Sequence, residues 1–330
     1  MMSTNETASP HITFLLTGIP GLESAHIWIS IPFCSIYLLA LLGNSTLLYI
    51  LRVDTRFHEP QYYFLSMLTI TDLVLTSSTV PQMLSIFWFD SKKISIDSCL
   101  MQMFFIHSFT IVESGILVAM SFDRYVAICH PLTYFMVLNG HRVGKAGLAI
   151  LIRGTVVFVP HLMVMKRLPY CQANVIHHTY CEFMAVVVQA CKDTSVLRGY
   201  SLTIALATAI LDCICIALSY ALILKAVSKH SSNNAGFKAF STCSSHLCII
   251  SVFYTSALFS ILTHRFGQAI APYIHIVVAN LYPLIPPFIN PIIYGIRTKR
   301  IREKVLQILI YKKRVSVTGG GHGCFSTGRN

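Results

Sequence analysis

The sequence predicts an all-α membrane protein: a bundle of seven spanning helices followed by a short amphipathic helix at the membrane surface. Three observations predict it. Of the 330 residues, 54% are apolar and only 12% are charged, about half the charged share of an ordinary soluble chain. The apolar residues arrive in blocks of about 20 or more, long enough to cross the hydrocarbon core as helices. The basic residues fall asymmetrically between those blocks, as the loops of a multi-span protein do.

Residues 1–25 form an outer tail without Lys or Arg. The basic start of a cleaved signal peptide is therefore missing, and the first span is expected to target the chain itself. Asn5, in Asn5-Glu6-Thr7, heads a glycosylation sequon in this tail. The same pattern at Asn44 falls inside the first span and is discounted. The spanning domain, 26–296, divides into apolar blocks at 26–51, 60–88, 98–130, 142–165, 197–226, 238–263 and 271–295. Pro32, Pro81, Pro160, Pro286, Pro287 and Pro291 lie inside these blocks, which membrane helices tolerate where neighbours satisfy the freed backbone.

With the N-terminus outside, most Lys and Arg fall on the cytoplasmic side, nine of them after residue 296. That excess sets the N-terminus outside and the C-terminus inside, in a plasma-membrane topology. The net charge of +12 then suits anionic lipid and an acidic protein partner. Nucleic acid is a poor partner, because the charge is divided among separate loops. In the terminal region, 297–330, "IRTKRIREKVLQILIYKKR" places Ile301, Val305, Ile308 and Leu309 on one helical face among basic residues, which reads as a helix lying on the inner leaflet. "GGGHGCFSTGRN" beyond it is expected to be disordered. Its Cys324 is a weak lipidation candidate.

Six of the 11 cysteines, Cys34, Cys129, Cys213, Cys215, Cys243 and Cys248, lie in spans or at their ends and read as apolar packers. Cys99, Cys171, Cys181 and Cys191 lie on the oxidising outer side, where pairing is expected. Four cysteines allow three connectivities, and spacing does not choose among them. A metal site with His177 and His178 is the weaker reading, since outer-face thiols more often oxidise.

Charges inside a bilayer are costly, so each is a functional candidate. Glu113 and Arg124 lie 11 residues apart, about three helical turns, and share a face. If that face looks inward, Asn44, Asp72, Glu113 and Asn290 line one polar site that holds water, a proton or a sodium ion. Arg153 and Asp212 are one candidate pair between spans 4 and 5, a contact that sequence alone does not establish, and they read as structural rather than functional.

A ligand is expected in the outer half of the bundle. His107, Thr110, Ile111 and Ser114 follow helical spacing on span 3. Tyr254, Leu258, Ile261 and Arg265 step by four, three and four along span 6. An apolar stripe topped by Arg suits a small amphiphile with a carboxylate, whose tail buries while the guanidinium takes the head. The competing role for Arg265 is snorkelling to lipid headgroups. The stretch from Met184 to Val188 is placed at the roof of this pocket.

Several motifs then fall in order in the right spans: "GIPGLE" near the N-terminus, "GN" at 43–44, "MSFDRYVAICHPLTY" at 120–134, "KAFSTCSSHL" at 238–247, "HRFG" at 264–267 and "ANLYPLIPPFINPIIYGIRTK" at 279–299. Together they resemble the olfactory receptors among the rhodopsin-like G-protein-coupled receptors, and within these the class I, fish-like subgroup. The resemblance covers nearly the whole chain. It implies that Arg124 is the switch arginine at the inner end of span 3, restrained by Asp123 at rest, with Tyr220, His246 and Tyr294 regrouping around it on activation. It implies a mid-membrane polar site at Asp72, Glu113 and Asn290, a Cys99–Cys181 bridge from span 3 to the outer loop, and a second loop bridge, Cys171–Cys191. It also implies an odorant ligand, carboxylic acids favoured, and coupling to a stimulatory, olfactory-type G protein that raises cAMP. Two positions depart from the pattern: His161 stands where the family often has Pro, and Ser256 follows Phe253-Tyr254-Thr255 where Pro is common.

Other functions fit less well. Residues 271–296 hold no Lys for a retinal Schiff base. No HExxH motif marks an intramembrane enzyme, so the chain is expected to perform no chemistry, with no resident cofactor or metal beyond the sodium named above. Seven unlike spans argue against the repeated halves of a transporter. The closest alternative is the same receptor acting outside the nose as a metabolite sensor.

Overall fold

The computed structural model describes residues 12–170, 174–230, 233–266 and 271–318. The elements run β1 (Thr13–Leu16), α1 (His26–Val53), α2 (Pro60–Phe89), β2 (Lys93–Ser95), α3 (Ile96–Cys129), α4 (Tyr134–Val137) and α5 (Gly140–Lys166). They continue with β3 (Val175–Ile176), α6 (Phe183–Val187), α7 (Ser195–His230), α8 (Asn233–Phe266), α9 (Pro272–Leu281), α10 (Ile285–Arg297) and α11 (Lys299–Thr318). Among the described residues, seven segments are long and apolar enough to cross a membrane, at α1, α2, α3, α5, α7, α8 and the α9–α10 pair. They coincide with the expected spans, and large apolar side chains such as Trp28, Leu42 and Leu211 face outward, as contact with lipid requires.

The seventh span is broken. Residues 282–284 form a turn between α9 and α10, and Pro286 and Pro287 open α10. Neither proline has an N–H to donate back, and each ring crowds the carbonyl four residues earlier. A new helix starting there needs neither bond. α11 follows at the opposite end of the bundle from β1. Its Ile301 is buried, and Val305 and Ile308 pack against the bundle, which is the apolar face expected from sequence; the Leu309 side chain lies outside the described residues.

One feature of the fold has no counterpart in the sequence reading. β1 is the middle strand of a three-stranded sheet. It runs antiparallel to β2, pairing Phe14 with Ile94, and parallel to β3, pairing Leu16 with Ile176. Phe14, Leu16 and Ile19 are fully buried beneath it. Gly18, at φ 78°, turns the chain toward α1; a Cβ there would stand 2.7 Å from the His26 ring, whose Nε2 accepts from Ile19 N–H at 3.2 Å.

Close helix packing uses glycine. A Cβ on Gly154 of α5 would lie 2.6 Å from the Ser108 carbonyl oxygen of α3. The bare backbone lets these two helices approach, as small residues do in membrane bundles.

Candidate functional site

Just beneath the sheet face of the bundle lies a cavity of about 240 Å³ between α3, α5, α7, α8 and α9–α10. It is slightly smaller than the roughly 300–1,000 Å³ of drug-sized sites, so its occupant is small. Its roof is the segment before and within α6. The Cys99–Cys181 disulfide, with Cα atoms 5.4 Å apart, ties that segment to the start of α3. Gln102 holds it again, accepting from Cys181 N–H at 2.9 Å. On the far side Tyr180 Oη donates to the Ala279 carbonyl at 3.1 Å, and Thr179 Oγ1 donates to Asn280 Oδ1 at 2.7 Å. Cys191 is also disulfide-bonded; Cys171, expected as its partner, lies outside the described residues.

His107, Thr110, Ile111, Ser114, Met184, Tyr254 and Ile261 all line the cavity. Leu258 does not. It is 51% exposed on the lipid side of α8, and the α8 residues that line the cavity are Phe253, Tyr254, Ala257, Ser260 and Ile261. The apolar stripe read along span 6 therefore straddled the edge of two surfaces. The roof is also shorter than expected: Glu182, Phe183 and Met184 line it, Val186 and Val187 point into the packed core, and Val188 faces outward. α8 carries the Arg265 backbone one turn past Ile261; its side chain lies outside the described residues, as does Asn5.

The cavity floor holds a polar chain across four helices. Arg153 Nη2 donates to Asp212 Oδ2 at 2.8 Å. Ser114 Oγ donates to the same oxygen at 2.6 Å and also bonds the Tyr254 hydroxyl at 2.7 Å. The Arg153–Asp212 contact, open in the sequence, is formed between spans 4 and 5 and is linked to span 6 as well. At the side wall, Tyr282 Oη donates to Thr110 Oγ1 at 3.0 Å.

Deeper in the bundle, Asn290 Nδ2 reaches both Asp72 oxygens at 3.1–3.2 Å. Asn44 Nδ2 donates to the Ala40 and Pro287 carbonyls at 2.9 and 2.8 Å. Glu113 is buried near Asp72. Asn44 Oδ1, Glu113 Oε1 and Asn290 Oδ1 have no hydrogen-bond partner. Oxygen donors with carboxylate charge fit a hard cation or water.

At the far end of α3, Arg124 Nε lies 3.7 Å from Asp123 Oδ2. Two side chains that sequence reading did not single out complete this cluster: Tyr134 Oη donates to Asp123 Oδ1 at 2.8 Å, and Arg124 Nη2 donates to Gln61 Oε1 at 2.7 Å. Tyr134 sits in α4, and burial beside the Asp123 carboxylate pushes its phenol well above the usual range. Tyr220 Oη bonds His246 Nδ1 at 2.6 Å, and Tyr294 Oη approaches Met120 Sδ at 4.0 Å. Among the hydrogen bonds of the described residues, none joins Tyr220, His246 or Tyr294 to Arg124.

A roofed cavity at one end of seven spans and an Asp123–Arg124 pair at the other mark a helical membrane protein with a small buried site. The family model described as "Olfactory receptor" matches residues 33–312. Among curated proteins, human Olfactory receptor 52N4 is 48% identical over 310 residues, 94% of this chain and 97% of the relative. Human Olfactory receptors 52R1 and 52K2 are each 50% identical, over 93% of this chain and 98% of their own length. The chain belongs to the olfactory receptor family, in its class I branch. That is a family of odorant-binding, G-protein-coupled receptors and not of enzymes.

Proposed function

We propose that this receptor recognises a small aliphatic carboxylic acid and signals through a stimulatory, olfactory-type G protein to raise cAMP. The observation that carries the ligand reading is the cavity: small, mostly apolar, and bounded by α8, whose backbone continues to Arg265 one turn past Ile261. The tail buries against Ile204, Ala205 and Ile261, and the carboxylate takes Arg265. The basic excess supports a topology with β1 outside the cell and α11 inside.

Ligand binding shifts a population. Tyr254 lies on the cavity floor and is bonded through Ser114 to Asp212, so a ligand that displaces Tyr254 moves α8 against α3 and α7. At the inner end, Arg124 leaves Asp123 and Gln61, and Tyr220 leaves His246. The mid-membrane oxygens of Asn44, Glu113 and Asn290 hold a sodium ion or water in the resting arrangement.

The test is a panel of short- and medium-chain acids on cells that carry the receptor and its G protein, with surface expression measured. A cAMP rise with at least one acid, lost in Arg265→Ala at equal surface expression, is expected. A flat response across the panel sinks the acid reading, and an unchanged dose-response curve in Arg265→Ala returns that residue to the lipid interface.

A further inference from the structure

We infer that Glu59 and Gln61, at the start of α2, are positioning residues that tie Arg124 to the surface helix α11, so that the contact of Arg300 with Glu59 sets how readily the receptor leaves its resting arrangement. The inference rests on the reading of Arg124 as the activation switch. Arg124, Gln61, Glu59 and Arg300 form one unbroken chain. Arg124 Nη2 donates to Gln61 Oε1 at 2.7 Å. Gln61 Nε2 donates to Glu59 Oε2 at 2.7 Å. Arg300 Nη1 of α11 donates to the other oxygen of that carboxylate, Oε1, at 2.8 Å.

The direction of the chain is fixed by its chemistry. Arg124 only donates, and an ionised Glu59 only accepts. The Gln61 amide serves both in one orientation, carbonyl toward Arg124 and NH2 toward Glu59. An apolar side chain at position 61 would break both bonds at once. Gln61 also makes the short contact to the switch. Asp123 Oδ2 lies 3.7 Å from Arg124 Nε, beyond hydrogen-bond range, and Asp123 Oδ1 accepts from Tyr134.

α11 has other anchors than Arg300. Ile301 is buried against the bundle, Val305 and Ile308 pack beside it, and Lys304 Nζ lies 2.9 Å from Asp54 Oδ2. Removing the Arg300 guanidinium therefore loosens Glu59 while the helix stays seated. Magnitudes rank the two links. A hydrogen bond to a charged group contributes about tenfold or more to an equilibrium between two arrangements. The Arg124 side chain is only 19% exposed, so water discounts that bond little. Arg300 and Glu59 are 60% and 30% exposed, and a pair so placed contributes about two- to threefold. Gln61 is the strong link and Arg300 the weaker handle on it.

The experiment reads ligand-free signalling of the full-length receptor as basal cAMP at equal surface expression. On purified receptor, where no G protein is needed, it reads the rate of thiol labelling at Cys243, which is buried near the inner end of α8 and is uncovered when that end swings out. Gln61→Met should raise both readouts by about tenfold and Arg300→Met by about two- to threefold. Misfolding would lower basal cAMP, so the sign separates a relay from mere loss of structure. The Gln61→Met, Arg300→Met double variant should match Gln61→Met alone, because Arg300 acts through Gln61. Arg300→Lys keeps a cation opposite Glu59 and should stay near the unmodified receptor. So should Lys299→Met, which removes a charge from α11 at a side chain 79% exposed and away from Glu59. Gln61→Ala is the second variant should Gln61→Met not reach the surface. Unchanged or lowered readouts in the Gln61 variants, no rise in Arg300→Met, an equal rise in Lys299→Met, or multiplying effects in the double variant overturns the inference. Arg124→Ala separates it from the reading beneath it: retained signalling there sinks the switch role itself, whereas lost signalling there with an unmoved Gln61→Met sinks the relay alone.

Discussion

Replacing Arg153 with Met isolates the polar chain on the cavity floor. The substitution keeps an apolar stem of similar length and removes the guanidinium that sits 2.8 Å from Asp212. Asp212 is 5% exposed at its side chain, and its remaining hydrogen bond is the one from Ser114. Breaking one side of a buried pair costs about 3–5 kcal/mol. Arg153 retains 30% side-chain exposure, which weakens the pair and places the loss near the lower end, about 3 kcal/mol. At roughly 2 °C per kcal/mol, the smaller end for large domains, melting falls by about 6 °C. The companion Asp212→Leu leaves no stranded charge when combined with Arg153→Met, so the double variant should recover most of that loss. The assay is a double-mutant cycle on purified receptor in detergent, read by thermal unfolding. Additive losses in the double variant, or a drop below about 1 kcal/mol in Arg153→Met, would refute the claim that these two side chains hold spans 4 and 5 together.

Gly154→Ala forces a Cβ against the Ser108 carbonyl and should cost about 1–3 kcal/mol, seen as lower surface expression and earlier melting; Gly144→Ala, where a Cβ meets nothing within 4 Å, should match the unmodified receptor. Cys181→Ser opens a bridge that closes an 82-residue separation and should cost about 4 kcal/mol, so most of the receptor fails to appear by surface labelling. On the α11 face, hydrogen bonds from Arg56 and Lys304 hold the Asp54 carboxylate well below its usual range. A lowered folded-state pKa contributes stability above the ordinary carboxylate value and loses it only as pH falls through the lower one. A fluorophore on α11 should keep its anisotropy from about pH 8 to about pH 5 and lose it only in stronger acid, below the ordinary carboxylate value of about 3.9; loss of order between pH 8 and 5 would show that another group holds the helix.

The seven spans were legible because a bilayer demands long apolar blocks, and the chain shows seven of them despite the prolines and the few charges inside. The inward faces were less legible. In water an apolar stripe marks the buried side of a helix, but lipid is as apolar as a core, so Leu258 and Ile261 look alike in sequence although one meets lipid and the other the cavity. The polar positions were better guides: His107, Thr110, Ser114, Tyr254, Asp72 and Asn290 all point inward because lipid excludes them. Arg153 and Asp212 signalled a pair by being lone opposite charges in neighbouring spans. Gln61 and Tyr134 carried no such signal, since both lie near span ends, where polar residues are ordinary. The sheet could not be read at all. Its strands are two to four residues long, too short for an alternating pattern, and β1 and β3 are separated by four spans.

That separation sets an order of assembly. Chains are made from the N-terminus, so β1 exists before either of its partners. β2 arrives after the second span and β3 after the fourth, and at that moment every strand of the lid is present although spans 5 to 7 have yet to emerge. The lid can therefore close on a half-built bundle. The remaining helices then arrive beneath those strands, and the cavity is completed by the walls they add to those of α3 and α5. A truncation that removes Phe14 and Leu16 would act on the first half of synthesis, leaving two loops without the strand between them long before there is a cavity to cover.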